Sequence, residues 1–294
     1  MFVITAPTAS ISSQLVRHLL DAGAPVRVVA RDPARLAPDV AERVEIVRGS
    51  HRDPAVVAAA LPGAEAVFWL VPPDPRAETL EAAFTGFSRA AVEGFTAHRV
   101  GRVVGVSALG RDTPVADRAG YTTAARAMDD LIAATGVPYR ALTMPSFMDN
   151  VLRQVVPITT RGLFTGPYEP DVAMPSIATR DIAEAAARVL LDDTWTGFAE
   201  VPLLGPEDLT YDRMAAVMAD VLGRPVRYQQ LPVAEVKAGA LRTGASEAMA
   251  QGRIDMALAK NAGLDNGVPR TPENTTPTTF RQWCLDVLKP AADA

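Results

Sequence analysis

The first twelve residues carry groups that are suited to binding a phosphate. A short apolar run at residues 2–5 leads into a turn, and an amphipathic helix is expected to begin near Ser10. A second apolar strand is expected at residues 25–30. In such a strand–turn–helix–strand unit, the helix N-terminus presents free N–H groups and the positive end of its dipole to an anion. This order of elements predicts a dinucleotide-binding βαβ unit.

The turn lacks the glycines that such a unit uses. The three glycine positions are occupied by Ala6, Ala9 and Ser12. In a glycine-containing turn, the first glycine permits the tight turn, the second lets the backbone approach the pyrophosphate, and the third lets helix and strand pack closely. Pro7 removes one N–H donor. The replacement of glycine by alanine at residue 6 is expected to be mild if the φ of Ala6 stays negative. Ser12 is small enough for the helix to pack closely on the strand. The Ala9 methyl group is expected to lie where the pyrophosphate would bind.

Several groups at this end of the chain still favour a phosphorylated ligand. The candidate cofactor-binding residues of the turn are Thr8, Ala9, Ser10 and Ile11. Arg31 follows the second strand, where an acidic residue would bind a ribose 2′-hydroxyl. An arginine there suits a 2′-phosphate and favours NADP(H) over NAD(H). The alternative is an exposed arginine, or one that pairs with Asp32.

The composition excludes several other classes of function. The 294 residues carry a net charge of −5 and no basic cluster, so nucleic acid is not an expected partner. The single cysteine, Cys284, excludes an internal disulfide and is expected to be a small apolar residue of the last helix. The three histidines are far apart in sequence, so no metal site is expected. The N-terminus lacks a basic signal-peptide region, and no apolar run approaches the ~20 residues of a membrane span, which predicts a cytoplasmic protein.

Strand and helix signals alternate through the first half of the chain and indicate its fold class. We expect an α/β fold, with a doubly wound parallel Rossmann-type sheet in residues 1–150 and a smaller α/β substrate-binding cap in residues 151–294. Residues 78–98 are expected to form one long helix, and residues 151–175 to be irregular. The strongly periodic helix at residues 181–191 is expected to return to the main sheet.

Five segments match the motifs of one known family. The motif Thr-Gly-Ala-Thr-Gly-x-x-Gly is matched by Thr-Ala-Pro-Thr-Ala-Ser-Ile-Ser at residues 5–12. The motif Ser-Gly-x-x-Tyr-Thr-x-x-Arg-Pro-x-x-Phe-Met-x-Asn is matched at residues 135–150, and shorter motifs are matched at residues 26–33, 179–183 and 204–210. The chain therefore resembles, over nearly its whole length, the NmrA-like branch of the atypical short-chain dehydrogenase/reductases.

The resemblance also points to candidate catalytic residues. Related reductases use a Tyr-x-x-x-Lys motif, and here the frame runs from Tyr121 to Ala125, so the tyrosine is kept and the lysine is lost. Ser107 occupies the usual serine position. The Gly-Asp that follows the third strand of the family becomes Gly-Ser-His, which ends at His51. Tyr121 is the first candidate for acid–base chemistry, with Ser107 or His51 assisting. The alternatives are an aromatic cap on a cavity for Tyr121 and a surface histidine for His51.

Three functions remain open. The chain is similar to NmrA-like dimerising enzymes of actinomycete aromatic polyketide pathways, which couple two quinone-type molecules through a C–C bond. That resemblance implies a non-redox biaryl-coupling enzyme that requires no cofactor and acts on a quinone or hydroquinone as a monomer or homodimer. The first alternative is an NADPH-dependent quinone or ketone reductase, which Arg31 favours and the altered turn opposes. The second is an NADP-sensing regulatory protein.

A substrate of this kind needs a roomy apolar cleft at the carboxyl ends of the strands. The residues expected to line that cleft follow strands or lie on the irregular segment, and they are Pro72, Pro73, Met144, Phe147, Met148, Asn150, Phe164 and Tyr168. Phe68 and Trp69 lie on a buried strand and are expected to be core residues instead.

Overall fold

A parallel sheet of seven strands forms the centre of the structure, a computed structural model that describes all 294 residues. The strands of the chain are β1 Phe2–Thr5, β2 Val26–Ala30, β3 Glu45–Arg48, β4 Ala66–Trp69, β5 Arg102–Ala108, β6 Tyr139–Met144, β7 Ser146–Phe147, β8 Leu163–Gly166, β9 Met174–Ile177, β10 Phe198–Pro202, β11 Asp208–Leu209 and β12 Arg227–Gln230. The α-helices are α1 Ser10–Asp21, α2 Pro38–Ala41, α3 Pro54–Ala60, α4 Leu80–Ala83, α5 Thr85–Ala97, α6 Tyr121–Ala133, α7 Val155–Arg161, α8 Thr179–Leu191, α9 Tyr211–Leu222, α10 Val233–Arg242, α11 Glu247–Asn261, α12 Phe280–Trp283 and α13 Lys289–Asp293.

The strand order of the main sheet is β10-β6-β5-β4-β1-β2-β3, and all neighbouring strands are parallel. The chain moves one way from β1 to β3 and the other way from β4 to β10, so the order reverses between β1 and β4. There, Ile4 pairs with Val28 on one side and with Phe68 on the other. Ligands of doubly wound sheets bind beside such a reversal, outside the carboxyl ends of the strands. The predicted doubly wound α/β fold is confirmed.

Two hydrophobic layers cover the two faces of this sheet. Successive residues of a strand face opposite sides, so Ile4 joins Leu15 of α1 and Ile182 of α8 in one core. Its neighbour Val3 joins Phe95 of α5 in the other core. Burial of these apolar side chains is the main favourable contribution to folding, and it fixes α1 and α8 on one face and α5 and α6 on the other.

Three expectations about buried residues are confirmed. Phe68 and Trp69 are 0% and 2% exposed and belong to the cores on opposite faces of β4. Cys284 is fully buried in a third core, where burial raises the pKa of its thiol to about 12. The thiol therefore stays protonated at neutral pH and acts as a small apolar side chain.

The second half of the chain contributes more to the main sheet than a returning helix. β10 lies beside β6, with Glu200 opposite Ala141, and is the seventh strand. Residues 151–175 are also more regular than expected, because they contain α7 and β8. β8 pairs with β12, which follows much later in the chain, so no local pattern reveals the pairing.

The long helix expected over residues 78–98 is divided into α4 and α5. The division falls at Phe84, whose φ of −118° and ψ of −76° depart from helical values. The break lets the Phe84 ring pack edge-on against Tyr121, with the ring centroids 6.0 Å apart. None of the helices combines the length and apolarity that a bilayer-spanning segment needs.

Helix α8 is fixed at its start by hydrogen bonds from two distant segments. Asp149 accepts hydrogen bonds from the N–H and the hydroxyl of Thr179 at 3.2 and 2.8 Å, and so caps the helix. Asp181 accepts from the N–H and the hydroxyl of Thr278 at 3.1 and 2.7 Å, and both residues are buried. These bonds hold the C-terminal segment against the helix that packs on the sheet.

Replacing Asp181 with Ala is expected to lower the free energy of unfolding by about 2–3 kcal/mol, because two buried donors of Thr278 lose their acceptor. Urea denaturation measures the change. Glu184→Ala, at an exposed position of the same helix, is the control and should change stability by less than about 0.5 kcal/mol. Equal losses in the two variants would show that the Asp181–Thr278 bonds contribute nothing specific.

Candidate active site

The phosphate turn keeps a backbone shape that normally requires glycine. Ala6 has a φ of +47°, in the left-handed region, so the condition under which alanine would be a mild change is not met. Its carbonyl accepts a hydrogen bond from the N–H of Ala9 at 2.9 Å, which closes the turn. A left-handed L-residue costs about 1 kcal/mol, and the flanking strand and helix hold Ala6 there. Thr8, at the tip of the turn, is exposed.

Helix α1 presents its N-terminus to this turn. The N–H groups of Ser10, Ile11 and Ser12 donate to no backbone acceptor, and the N-cap residue Ala9 has no side chain to cap them. Ser12 stands at the third glycine position and donates from its hydroxyl to the carbonyl of Thr5 at 2.9 Å. The serine therefore preserves the close packing of α1 on β1, and the free amides remain available to an anion.

Arg31 is an unpaired cation at the carboxyl end of β2. Its side chain is exposed and makes no ion pair. The neighbouring Asp32 accepts a hydrogen bond from the N–H of Ala34 at 3.2 Å and caps the following turn instead. The alternative in which Arg31 pairs with Asp32 is therefore excluded in this structure. The guanidinium group is free for a phosphate outside the strand ends.

His51 is buried, in contrast to the surface position considered for it. Its ring lies edge-on to Trp69 and Phe87, with centroids 5.0 and 4.8 Å away, and its Nε2 donates to the carbonyl of Leu70 at 3.0 Å. Burial, assisted by the charge of Arg31, lowers the pKa of His51 to about 4. The ring is neutral at physiological pH and its Nε2 is engaged, so the geometry favours a packing role over acid–base chemistry.

A buried, hydrogen-bonded cluster joins Asp129 of α6 to Ser107 of β5 and Tyr139 of β6. The Ser107 hydroxyl donates to Oδ2 of Asp129, and the Tyr139 hydroxyl donates to Oδ1 at 2.6 Å. All three residues are less than a tenth exposed. Sequence reasoning named only Ser107 of this set. The signal that could have revealed Asp129 is its position, because it is a carboxylate between the apolar Met128 and Ile132 on the sheet-facing side of α6.

The surroundings of Asp129 make its charge sensitive to pH. Burial raises its pKa to about 7, against the opposing hydrogen bonds from Ser107 and Tyr139 and the charge of Arg111. Arg111 in turn forms an ion pair with Glu200 of β10. The Asp129 carboxyl group, which titrates near neutrality, thus joins α6 to β5 and β6, and Arg111 joins α6 to β10 through Asp130 and Glu200.

Tyr121 opens α6 and lies apart from this cluster. Asp129 follows it by two turns, a distance of about 12 Å at the helical rise of 1.5 Å per residue. The Tyr121 hydroxyl makes no hydrogen bond within the protein, whereas that of Ser107 is committed to Asp129. The structure therefore does not join the two predicted catalytic hydroxyls.

The lost lysine is not replaced from the same helix. Ala125, at the lysine position, belongs to the core, and Arg126 turns away to donate to the carbonyl of Ala116. The cation whose charge acts on the Tyr121 hydroxyl is Arg253 of α11. Burial raises the pKa of Tyr121, and the charge of Arg253 opposes that rise without cancelling it. Tyr121 therefore stays protonated at neutral pH, the state that donates a proton.

The residues expected to line a cleft fall into two sets. Met144, Met148 and Phe164 are 2%, 1% and 3% exposed, because neighbouring helices enclose them in the hydrophobic cores. These three side chains can therefore support the wall of a cleft from inside the core, but they do not form its surface. The residues that keep accessible surface are Pro72, Pro73, Phe147, Asn150 and Tyr168.

A separate groove lies on the outer side of α6. Its volume is about 700 Å³, and Gly120, Ala124 and Leu258 are among its lining residues. Neither Tyr121 nor any other predicted site residue lines the groove. The crevice between β1 and β4 is therefore the better candidate for the active site.

Two family models match the chain. The model described as NAD(P)H-binding matches residues 8–193, and the model described as the NmrA-like family matches residues 122–283. Each match covers more than half of the sequence. The chain belongs to the NmrA-like family. The family predicted from the motifs is therefore confirmed, and this NmrA-like chain contains an NAD(P)H-binding domain.

Several proteins similar to this chain have the names of reductases or oxidoreductases. The NmrA-like chain is 29% identical over 291 residues to the (4-alkanoyl-5-oxo-2,5-dihydrofuran-3-yl)methyl phosphate reductase of Streptomyces griseus. The match covers 97% of both chains. It is 29% identical to the NAD(P)H azoreductase of Xenophilus azovorans over 92% of both chains. The NADPH complex of an Escherichia coli quinone oxidoreductase shares its fold, with a TM-score of 0.74, 21% identity and coverage of 96% of this chain and 98% of that one.

These comparisons change the order of the expected functions. They favour an NADPH-dependent reductase over coupling without a cofactor, and none of them supports the expectation that no cofactor is required. The finer similarity to aryl-coupling enzymes of the NmrA-like family also finds no support among them.

Asp129→Asn is expected to change how stability depends on pH. Because burial raises the pKa of Asp129 to about 7, the folded protein binds a proton that the unfolded chain releases near pH ~4. The stability of the wild type, relative to Asp129→Asn, should therefore fall as the pH rises from about 4 to about 7, by at most about 1.4 kcal/mol per pH unit.

Urea denaturation of both proteins between about pH 5 and about pH 8 measures this difference. Above the folded-state pKa the difference should become constant. A difference that moves in favour of the wild type as the pH rises would contradict the buried, proton-binding carboxyl group.

Proposed function

We propose that this protein is an NADPH-dependent reductase of small, electron-poor carbonyl compounds of the quinone type. The observation that carries the proposal is the phosphate turn, in which Ala6 holds a left-handed conformation in the absence of glycine. A strained backbone costs free energy and is characteristic of functional sites. The free amides of Ser10 and Ile11 at the same turn support a ligand with phosphate groups.

The residues around the turn fit the phosphates of NADPH. The amides of Ser10 and Ile11, with the hydroxyl of Thr8, would hold the pyrophosphate at the helix N-terminus. Arg31 would bind the 2′-phosphate. The Ala9 methyl group narrows the approach, so binding should be weaker than at a glycine-containing turn. When bound, NADPH supplies a hydride.

Tyr121 is the proposed proton donor. Hydride addition gives a conjugated quinone two electrons, and the resulting hydroquinone anion must take up a proton at oxygen. The Tyr121 hydroxyl is half-buried, protonated and free of internal hydrogen bonds, so it can give that proton and recover one from water. Pro73 and Phe147 are the proposed walls for the ring of the substrate.

The names of similar proteins agree with a conjugated acceptor. They describe a reductase of an alkanoyl dihydrofuranone phosphate, an azoreductase and a quinone oxidoreductase. Each of these acceptors is a π system that becomes more electron-rich on reduction. A quinone-type substrate is therefore the class that we propose for this chain.

Non-redox coupling of quinone-type molecules is the second candidate. One observation favours it, namely that Ala125 occupies the place of the motif lysine and lies in the core. In that reaction a hydroquinone carbon would attack a quinone held beside it, and Tyr121 would move the proton. Turnover would then depend on the presence of both the hydroquinone and the quinone, and it would not depend on NADPH.

Arg31→Ala is expected to weaken NADPH binding about tenfold or more and to leave NADH binding unchanged, because only NADPH carries the extra phosphate. Isothermal calorimetry with both nucleotides measures the two affinities. Arg213→Ala, exposed on α9, is the matched control and should bind NADPH like the wild type.

The same titration decides between the two candidates. Failure of the wild type to bind NADPH, combined with coupling of hydroquinones in the absence of any nucleotide, would overturn the reductase and support coupling. Binding of NADPH followed by its quinone-dependent oxidation would support the reductase.

Tyr121→Phe is expected to lower quinone-dependent NADPH oxidation by about 10²-fold, since the hydroxyl would be the proton source. NADPH affinity should stay unchanged, because Tyr121 is not among the residues that would hold the phosphates. The rate is measured from the loss of NADPH absorbance. Unaltered turnover would remove Tyr121 from the mechanism and leave water as the proton donor.

A further inference from the structure

A small cavity lies outside the carboxyl end of β10. The N–H of Leu203 donates to the carbonyl of Thr143 at 2.9 Å and joins the end of β10 to β6, and the next residue, Leu204, lines the cavity. The volume is about 200 Å³, which corresponds to about six water molecules at ~30 Å³ each. β10 is the third strand from β4, about 14 Å away at a strand spacing of ~4.8 Å. The cavity is therefore separate from the proposed cofactor site.

An ion pair between Arg270 and Asp208 forms one wall of this cavity. The guanidinium group of Arg270 donates from Nη2 to Asp208 and from Nε to the carbonyl of Gly205 at 2.8 Å. These bonds use two of its five N–H groups. The side chains of Arg270 and Asp208 are 26% and 38% exposed, so a ligand can reach both groups. The wall thus offers hydrogen-bond donors and acceptors together.

The loop that carries Arg270 is held in place by the protein itself. The side chain of Asn274 donates to the carbonyl of Pro269 at 3.0 Å and accepts from the N–H of Thr271 at 2.8 Å. The carbonyl of Asn274 accepts from the N–H of Leu204 at 2.8 Å. Asn274 is buried. The cavity is therefore preformed, as binding sites for small molecules usually are.

Asp265 brings a buried carboxylate with one unused oxygen to the same cavity. Its Oδ2 accepts from Nζ of Lys260, and the side chains of Lys260 and Asp265 are only 7% and 1% exposed. Its Oδ1 has no hydrogen-bond partner in the protein. A buried acceptor without a donor costs about 1–3 kcal/mol. Because Asp265 lines the cavity, a donor placed there can supply the missing bond.

The balance of charge favours a neutral ligand. Each carboxylate at the cavity already has its own cation, since Asp208 pairs with Arg270 and Asp265 pairs with Lys260. An ionic ligand would lose its hydration without meeting an opposite net charge. A hydroxyl group both donates and accepts, so it suits a wall that carries both kinds of partner. The half-buried Val268 provides apolar surface for a carbon skeleton.

We propose that this cavity binds a neutral vicinal diol, with one hydroxyl donating to Oδ1 of Asp265 and the other accepting from Arg270. The site does not depend on the proposed reductase function. The diol is either a separate polyol or the far end of an extended substrate, and the two sources share the same chemistry at the cavity.

Three probes with one carbon skeleton test the class of ligand. They are the cis vicinal diol of cyclohexane, cyclohexylammonium and cyclohexanecarboxylate, and their binding is measured by ligand-observed saturation-transfer NMR without any nucleotide. The wild type should bind the diol more tightly than either ion. Tighter binding of the ammonium or the carboxylate would overturn the assignment to a neutral diol.

Two variants test the place of binding. Asp265→Asn should weaken diol binding about tenfold, whereas Asp193→Asn, which removes one negative charge at an exposed position outside the cavity, should leave it unchanged. Asp265→Asn also deprives the buried Lys260 of its partner and lowers stability. Val268→Phe is therefore the second variant, because it fills the cavity and leaves both ion pairs intact. It should abolish diol binding without changing the circular dichroism spectrum.

Undiminished binding in Val268→Phe, or no diol binding by the wild type, would overturn the site and leave a cavity that holds only water. Quinone reduction with and without the diol separates the two sources. A rise in KM for the quinone that Val268→Phe removes assigns the diol to the far end of the substrate. An unchanged KM assigns it to a separate polyol. Failure to reduce any quinone would remove the reductase proposal and leave the NMR result standing.

Discussion

The hydrogen bonds of Thr5 fix the point on which the candidate site depends. Its hydroxyl donates to the carbonyl of Phe68, the last β4 residue that pairs with β1, at 3.0 Å, and accepts from the N–H of Leu70 at 2.9 Å. Its carbonyl accepts the hydroxyl of Ser12. One residue thus joins two strands and a helix at the mouth of the crevice where the strand order reverses. The position and direction of the phosphate turn follow from these bonds.

The crevice has two chemically different ends. Toward β2 it offers free amides and the unpaired Arg31, whereas the nearby His51 stays neutral and adds no charge. The other end is the one proposed to hold Tyr121, whose hydroxyl group is protonated at neutral pH. An anionic nucleotide suits the first end, and a polarised acceptor that needs a proton suits the second. The buried carboxyl group of Asp129 lies below this surface and ties α6 to the sheet.

Local sequence patterns predicted the parts of the molecule whose contacts are local. They located the first βαβ unit, the start of α1 and the position of Arg31 after β2. They did not predict β10 as a strand of the main sheet, because its partner lies far earlier in the chain. Met148 and Phe164 were expected at a surface because they follow a strand or lie among turns, and distant helices bury them. Asp129 escaped notice for the same reason, since its partners Ser107 and Tyr139 come from strands.

The left-handed alanine separates the shape of a turn from the residue type that usually signals it. Glycine is the least strained occupant of such a position, but at Ala6 the neighbouring strand and helix impose the conformation on a residue that resists it. A fold with that much rigidity tolerates the loss of a signature residue and keeps the geometry on which its chemistry depends. The residues of this turn can therefore diverge further than its backbone does.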